Sequence, residues 1–213
     1  MNRDVRQLAL RLEHRPALGR ADFLVSAANA EAARLIADWR DWPGRRLALV
    51  GPARAGKTHL AHVWMHDAGA ERLAAASLDD AATERLTRHG RAVVEDVEAL
   101  ALLDPPRRDA AERALFHLMN LAAAEGAWLL LTGRAAPARW PVRMPDLASR
   151  LGALPLTRLA RPDDTLLSCL MVKLFADRQV QVRPDVIKFV LRRIERSFKA
   201  VEAAVEALDR RSL

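Results

Sequence analysis

The chain has 213 residues, enough for one α/β domain with its own core and a small addition, but not for two full-sized domains. Hydrophobic residues make up 51% and charged residues 29%, a composition that excludes a disordered chain. The single cysteine, Cys169, excludes an internal disulfide and a thiolate zinc site. No apolar stretch of the sequence approaches a membrane span, so we expect a cytoplasmic protein without a membrane partner.

The formal net charge of +7 comes from 34 basic and 27 acidic residues that are spread along the chain. Dispersed arginine is typical of a solvated surface or of ion pairs along helices, but it also permits contact with nucleic acid. Charge alone therefore leaves direct DNA binding open, and we expect any DNA contact to be indirect or weak.

The N-terminal part of the chain predicts a tail, a helix and a turn. Residues 1–16 alternate charged and apolar residues, and we expect an extended tail that binds a partner. Residues 26–39 predict a helix behind a serine cap, and a Pro-Gly turn follows at residues 43 and 44. The expected apolar face of this helix consists of Ala28, Ala32, Leu35, Ile36 and Trp39.

Strand and helix patterns then alternate. Residues 46–50, 92–94 and 127–131 are short apolar runs that predict buried strands. Residues 108–125 predict a helix between the last two strands. This alternation is typical of an α/β fold with a parallel sheet flanked by helices, which we assign to residues 17–158.

The C-terminal part of the chain predicts helices only. Strand signals stop after Pro155, and helices are expected over residues 162–176, 184–194 and 197–211. We therefore predict a small all-helical lid domain over residues 159–213.

The most specific motif follows the first predicted strand. The sequence GPARAGKT fits G-x-x-x-x-G-K-[ST], with a buried strand before it and a helix after it. In such a loop, backbone N–H groups surround the phosphates, Lys57 reaches the β and γ phosphates, and Thr58 is a Mg²⁺ ligand. The predicted nucleotide-binding residues of this loop are Gly51, Pro52, Ala53, Arg54, Ala55, Gly56, Lys57 and Thr58.

Polar residues that end two later strands complete the predicted site. Glu95 and Asp96 follow the run AVV, and we assign Glu95 to Mg²⁺ through water and Asp96 to the attacking water. The alternative is that one of the two acids has no role at the nucleotide and only caps the next segment. Thr132 ends the run WLLLT, where it either senses the γ-phosphate or begins the next turn.

Across nearly its whole length the chain resembles the DnaA-type AAA+ proteins. GPARAGKTHL resembles their Walker A box, which implies a nucleotide contact for His59, and VVEDVEAL resembles their Walker B box. MPDLASRLG, residues 144–152, resembles the box that carries the arginine finger, which implies that role for Arg150. The end of the lid resembles theirs as well, which implies that Arg196 is the sensor 2 arginine. The segment DFLVSAANAEA resembles their N-terminal nucleotide-pocket segment.

In two features the chain resembles the Hda group of DnaA regulators in particular. The first is the expected end of the chain after the lid, without a DNA-binding helix-turn-helix domain. The N-terminal sequence QLALRL resembles a sliding-clamp-binding motif, in which a glutamine amide and spaced leucines enter an apolar groove. The anchors of this motif would be Gln7, Leu8, Leu10 and Leu12.

The resemblance implies a regulatory function. It predicts a protein that binds ADP, or ATP, with Mg²⁺, and that has little or no turnover of its own. Its expected partners are DnaA and the β sliding clamp of DNA polymerase III loaded on DNA, and self-association is left open. It would stimulate hydrolysis of DnaA-bound ATP in trans and so prevent over-initiation of replication.

Two departures from the family pattern leave another function open. The first Walker B acid is usually aspartate, where this chain has Glu95. Arg134 stands two positions after Thr132, where the family has an acidic residue. The alternative is an autonomous DnaA-related ATPase that acts as a helicase loader or as an adaptor on DNA.

Overall fold

The computed structural model describes the backbone of residues 23–212 and the side chains of residues 23–210. The predicted clamp-binding residues Gln7, Leu8, Leu10 and Leu12 therefore lie outside the described residues. The α/β part consists of α1 (Ala30–Ala37), β1 (Arg46–Val50), α2 (Lys57–Ala68), β2 (Glu71–Ala74), α3 (Ala81–His89), β3 (Arg91–Glu95), α4 (Pro105–Glu125), β4 (Trp128–Gly133), α5 (Pro145–Gly152) and β5 (Leu156–Arg158). Three helices follow, α6 (Asp164–Ala176), α7 (Pro184–Leu191) and α8 (Phe198–Ser212).

The five strands form one parallel sheet in the order β2-β3-β4-β1-β5. At the carboxyl end of β1, Val50 is paired with Gly133 of β4 and Arg158 of β5. In an open parallel sheet, ligands bind at the carboxyl ends of the strands, close to where the strand order reverses. The predicted parallel sheet is thus confirmed, and the phosphate loop leaves β1 at this edge.

Apolar side chains cover both faces of the sheet. On one face, Leu60 and Trp64 of α2 pack with Val93 and Leu130. On the other face, helices α3, α4 and α5 cover the sheet, and Leu118 of α4 is fully buried among their apolar residues. Each such side chain contributes about 1.5–3 kcal/mol to folding. Helices α6, α7 and α8 enclose an apolar cluster of their own.

Two sequence predictions about the secondary structure are wrong. The strand signals do not stop after Pro155, because β5 adds a short edge strand that pairs with β1. The helix predicted over residues 26–39 is shorter and spans Ala30–Ala37. Its N-terminal side is a turn, in which Asn29 Oδ1 accepts a hydrogen bond from the Ser26 N–H at 2.8 Å. Trp39 lies in a separate 3₁₀ turn, Trp39–Asp41.

Within residues 23–212, the helices are too short or too polar to cross a bilayer.

Candidate nucleotide-binding site

The phosphate loop, residues 51–56, runs from the end of β1 into α2. Arg54 (φ 63°) and Gly56 (φ 96°) both adopt left-handed backbone conformations, so the chain reverses within a short loop. A Cβ atom on Gly51 would lie 2.5 Å from the carbonyl oxygen of Leu159, the residue after β5. Only glycine fits there, which explains the first fixed position of the motif.

Lys57 is the first residue of α2, and its side chain folds back over the loop. Its Nζ donates hydrogen bonds to the carbonyl oxygens of Gly51, at 2.8 Å, and of Pro52, at 3.0 Å. The residue is 8% exposed. A buried ammonium group held against main-chain carbonyls is placed to meet a phosphate oxygen in the same loop.

The pKa of the Lys57 ammonium depends on burial and on three charged side chains. Burial has the largest influence and lowers the pKa of Lys57 below its ordinary value. The carboxylates of Asp96 and Glu98 raise this pKa in part, and the guanidinium of Arg134 lowers it. A bound phosphate would add negative charge and favour protonated Lys57, so the site fits an anionic ligand.

A hydrogen bond joins the ends of β3 and β4 beside the loop. Asp96 follows β3 in a left-handed conformation (φ 55°, ψ 58°), and its backbone N–H donates to Thr132 Oγ1 at 3.1 Å. Thr132 is buried, and its hydroxyl still has a proton to donate. Glu98 Oε1 accepts hydrogen bonds from the backbone N–H groups of Arg134, at 2.5 Å, and Ala135, at 2.9 Å. The structure thus brings Asp96, Thr132 and Lys57 to one edge of the sheet.

Glu95, the residue assigned to Mg²⁺, is only 4% exposed. Its Oε2 accepts a hydrogen bond from Arg72 Nε on β2, whereas Oε1 is buried without a hydrogen-bond partner among the described residues. A buried carboxylate oxygen of this kind needs a partner, and water bound to Mg²⁺ would supply one. The residue therefore fits the metal role, although one of its oxygens is already paired.

The helical part of the chain contacts the phosphate loop directly. Arg54 Nη1 lies 2.5 Å from Glu195 Oε2, in an ion pair whose side chains are both more than half exposed. A Cβ atom on Gly56 would lie 3.1 Å from the ring of Phe198, the first residue of α8. An exposed ion pair contributes little stability, so the aromatic contact is the more important link between loop and lid.

Arg196, the predicted sensor 2 residue, lies between these two contacts in the sequence. Its Nη2 is 3.0 Å from Asp164 Oδ2 at the start of α6, and both side chains are largely exposed. His59 packs edge-to-face on Phe23, with ring centroids 5.4 Å apart. The structure therefore places His59 on the helix that follows the loop, and pairs Arg196 with an acid of the lid.

Arg150, the predicted finger, is an exposed residue in the last turn of α5. Its guanidinium carbon lies 5.1 Å from the ring centroid of Phe116 on α4. Within the described part of the chain it has no carboxylate partner. Arg150 is not among the charges that act on Lys57, which are those of Asp96, Glu98 and Arg134.

The segment that leads into α5 is fixed by a buried carboxylate. Glu112 of α4 is 2% exposed, and its Oε2 accepts hydrogen bonds from the N–H groups of Arg143, at 2.8 Å, and Met144, at 2.9 Å. Its Oε1 accepts a hydrogen bond from Arg108 Nε at 3.0 Å. We call Glu112 and Arg108 the buried ion pair of α4.

Sequence reasoning does not single out Glu98, Arg72 or Glu112. Arg72 and Glu98 have partners far along the chain, and Glu112, although it pairs with Arg108 four residues away, also binds N–H groups 31 and 32 positions away, so a short motif contains no signal for these contacts. For Glu98, the one local hint is its place just after the two acids of the Walker B box.

The sheet order, the phosphate loop after β1, the two acids at the end of β3, the threonine in β4 and the helices after β5 are the features of the AAA+ fold of P-loop proteins. No protein-family model matches the chain. Its sequence is 26% identical to the chromosomal replication initiator protein DnaA of Thermomicrobium roseum, over 87% of this chain and 44% of that protein.

Two solved structures show the same fold. Domain III of the Thermotoga maritima replication initiation protein DnaA gives a TM-score of 0.70 at 17% identity, covering 90% of this chain and 87% of that one. The replication initiator DnaA bound to AMPPCP and single-stranded DNA gives 0.72 at 16% identity, covering 92% and 65%. The chain therefore has the AAA+ fold of DnaA domain III. It spans less than half the length of the curated DnaA that it matches.

Proposed function

We propose that this protein binds ADP, or ATP, with Mg²⁺ and acts on DnaA as a regulatory inactivator of the Hda type. In this proposal, residues 1–16 dock on the DNA-loaded sliding clamp. Arg150 then reaches ATP held by a neighbouring DnaA molecule and accelerates its hydrolysis. ADP-bound DnaA would no longer initiate replication.

Several contacts support a nucleotide at the phosphate loop. The Lys57 ammonium is desolvated beside the loop carbonyls, and the Thr132 hydroxyl lies at the same edge with a proton to donate. The unpaired Oε1 of Glu95 fits the hydration shell of Mg²⁺. When bound, Mg²⁺ would neutralise phosphate charge, while Lys57, Arg54 and Arg196 supply cations around the site.

The observation that carries the regulatory proposal is the placement of Arg150. Its guanidinium is exposed, lacks a carboxylate partner within the described residues, and lies on a helix that the Glu112 carboxylate fixes at its start. An exposed arginine without a carboxylate partner is suited to reach a phosphate group on another molecule.

Replacing Lys57 by alanine should weaken binding of a fluorescent ADP analogue about 10- to 100-fold, because a charge-assisted hydrogen bond contributes about 1.5–3 kcal/mol. Calorimetric titration would check this value. Lys188→Ala, at an exposed position of α7, is the matched control and should bind nucleotide normally. Equal affinity in both variants would place the nucleotide elsewhere.

The regulatory proposal is tested by ATP hydrolysis with purified DnaA and DNA-loaded clamp. We expect the intact chain to stimulate hydrolysis and a version that lacks residues 1–12 to stimulate it little, while binding nucleotide as before. The truncated version should regain activity at high concentration, since only tethering is lost.

The same assay separates the alternative functions. An autonomous ATPase would hydrolyse ATP without DnaA, and its rate would stay the same when clamp binding is abolished. A clamp-bound adaptor without a role in hydrolysis would bind clamp and DnaA but leave the rate unaltered. Either result would contradict the regulatory proposal and leave the nucleotide site intact.

A further inference from the structure

Four arginines lie at the amino ends of the strands, on the side of the sheet opposite the phosphate loop. We call them the arginine edge: Arg40, Arg45, Arg46 and Arg91. Arg46 and Arg91 are the first residues of β1 and β3. Because the strands are parallel, these amino ends lie away from the carboxyl ends that hold the nucleotide site. The arginine edge is thus separate from the site described above.

Two tryptophans hold three of these guanidinium groups. Trp39 and Trp128 pack edge-to-face with ring centroids 5.1 Å apart. The guanidinium carbons of Arg40 and Arg91 lie 4.3 Å and 5.8 Å from the Trp39 ring, and that of Arg45 lies 4.3 Å from the Trp128 ring. Such stacking fixes the cations, and the N–H groups that do not donate to the carbonyl oxygens of Gly126 and His89 stay available to an anion, which lowers the entropy cost of binding.

The backbone of Arg45 is arranged to support this placement. Arg45 has φ 59°, a left-handed conformation that costs a residue with a side chain about 1–2 kcal/mol. Its Nη1 donates to the carbonyl oxygen of Gly126, and a Cβ atom on Gly126 would lie 2.7 Å from that nitrogen. The glycine therefore leaves room for the guanidinium, and the contact offsets part of the strain.

The arginine edge has no carboxylate partner within the described residues. Some exposed arginines elsewhere in the described chain do have such partners, as in the pairs of Arg34 with Asp38 and Arg183 with Asp185, whereas others, such as Arg150, have none. The connection between α1 and β1 contains one further acid, Asp41, which forms no ion pair with these arginines. Glu71, at the amino end of β2, pairs with His89, so the four arginines keep a local excess of positive charge.

We propose that the arginine edge binds the phosphate backbone of DNA. Phosphate oxygens match the fork of N–H donors on arginine. A protein partner would need an apolar centre in its interface, but Trp39 is buried, Trp128 is half-buried, and the exposed large apolar residues of the described chain lie elsewhere. A contact made of charge alone is typical of sequence-independent binding to nucleic acid.

The test is the salt dependence of binding to a short fluorescein-labelled DNA duplex, measured by anisotropy on the full chain. For duplex DNA, the logarithm of the affinity falls with the logarithm of the salt concentration by about 0.9 per phosphate contact. The double variant Arg40→Gln, Arg91→Gln should therefore reduce the slope by about 1.8 and weaken binding at low salt at least about 10-fold.

The matched control is Arg113→Gln, Arg192→Gln, which removes the same charge at exposed positions outside the edge. We expect this control to retain the slope of the intact chain. Equal slopes for both double variants would overturn the proposal. It would also be overturned if the Arg40→Gln, Arg91→Gln variant lost binding to polyglutamate but kept binding to DNA, since that result would indicate an acidic protein partner.

Arg46→Gln keeps the proposal testable should the first double variant fold poorly. Arg46 makes a hydrogen bond to its neighbour Gly44 and does not stack on the tryptophans. Its replacement should reduce the slope by about 0.9 without changing tryptophan fluorescence. An unchanged slope in this folded variant would contradict the proposal. The measurement needs neither DnaA nor the clamp, so its outcome is independent of the regulatory function.

Discussion

Arg150→Ala should abolish the ability of this protein to stimulate hydrolysis of DnaA-bound ATP, while its fold stays unchanged. An arginine placed against the transferring phosphoryl group stabilises the charge that develops there, and such a residue accelerates hydrolysis about 10³- to 10⁵-fold. Arg150 is exposed and only stacks on Phe116, so its loss should change the free energy of unfolding by no more than about 1 kcal/mol. The measurement is single-turnover hydrolysis of labelled ATP on DnaA.

Two variants make this test specific. Arg139→Ala removes an exposed arginine from the 3₁₀ turn Pro137–Arg139, which packs beside α5, and should stimulate as the intact chain does. Arg150→Lys keeps the charge but loses the planar fork, so we expect it to restore only a small part of the rate. Full stimulation by Arg150→Ala would show that the protein acts as an adaptor and that the finger is supplied by DnaA itself.

The central strands of the fold could be predicted from the sequence because burial on both faces makes them continuous apolar runs. Strand β1 (Arg46–Val50) coincides with the predicted residues 46–50, and β3 and β4 differ from the prediction by a few terminal residues. Proline and glycine mark the adjoining turns, so both ends of β1 have a local signal.

The edge strands could not be predicted in this way. In β2 (Glu71–Ala74) only Leu73 is buried, and in β5 (Leu156–Arg158) only Thr157. A single buried position does not establish an alternating pattern. These segments are strands because β3 and β1 offer them backbone hydrogen bonds, which is a property of the tertiary structure.

The same distinction holds for the candidate site. Residues 51–58 are contiguous and their motif can be read locally, whereas the hydrogen bonds of the carboxylates beside them join distant segments. Arg72 and Glu95 are 23 positions apart, and Glu98 and Arg134 are 36 apart. Arg134, which stands where the family has an acidic residue, acts on the site through its charge, since its guanidinium lowers the pKa of Lys57.

Replacing Glu112 by glutamine should lower the free energy of unfolding by about 3–5 kcal/mol, because it breaks a buried ion pair by removing one partner. The carboxylate accepts hydrogen bonds from Arg108 and from two backbone N–H groups at once. A glutamine side chain has one acceptor oxygen, so its NH₂ group must face either Arg108 or the two N–H groups. Urea denaturation of the purified variant would measure the loss.

A surface ion pair of the same sequence spacing provides the control. Glu206 and Arg210 are four residues apart on α8, both well exposed, with a closest N···O distance of 3.7 Å. Glu206→Gln should change the free energy of unfolding by about 0.5 kcal/mol or less. Similar small losses in both glutamine variants would mean that the Glu112 contacts contribute no more than surface pairs do.

The Glu112 variant also connects stability with the proposed function. Arg108 Nη2 donates to the carbonyl oxygen of Pro141, so the buried ion pair of α4 fixes residues 141–144 at the entry to α5. Released from these bonds, α5 and its Arg150 would sample more orientations, and catalysis is sensitive to such displacement. At a temperature where Glu112→Gln is still folded, we therefore expect weaker stimulation of DnaA with unchanged ADP affinity. Retained stimulation in the folded variant would show that α5 is positioned by its apolar contacts with α4.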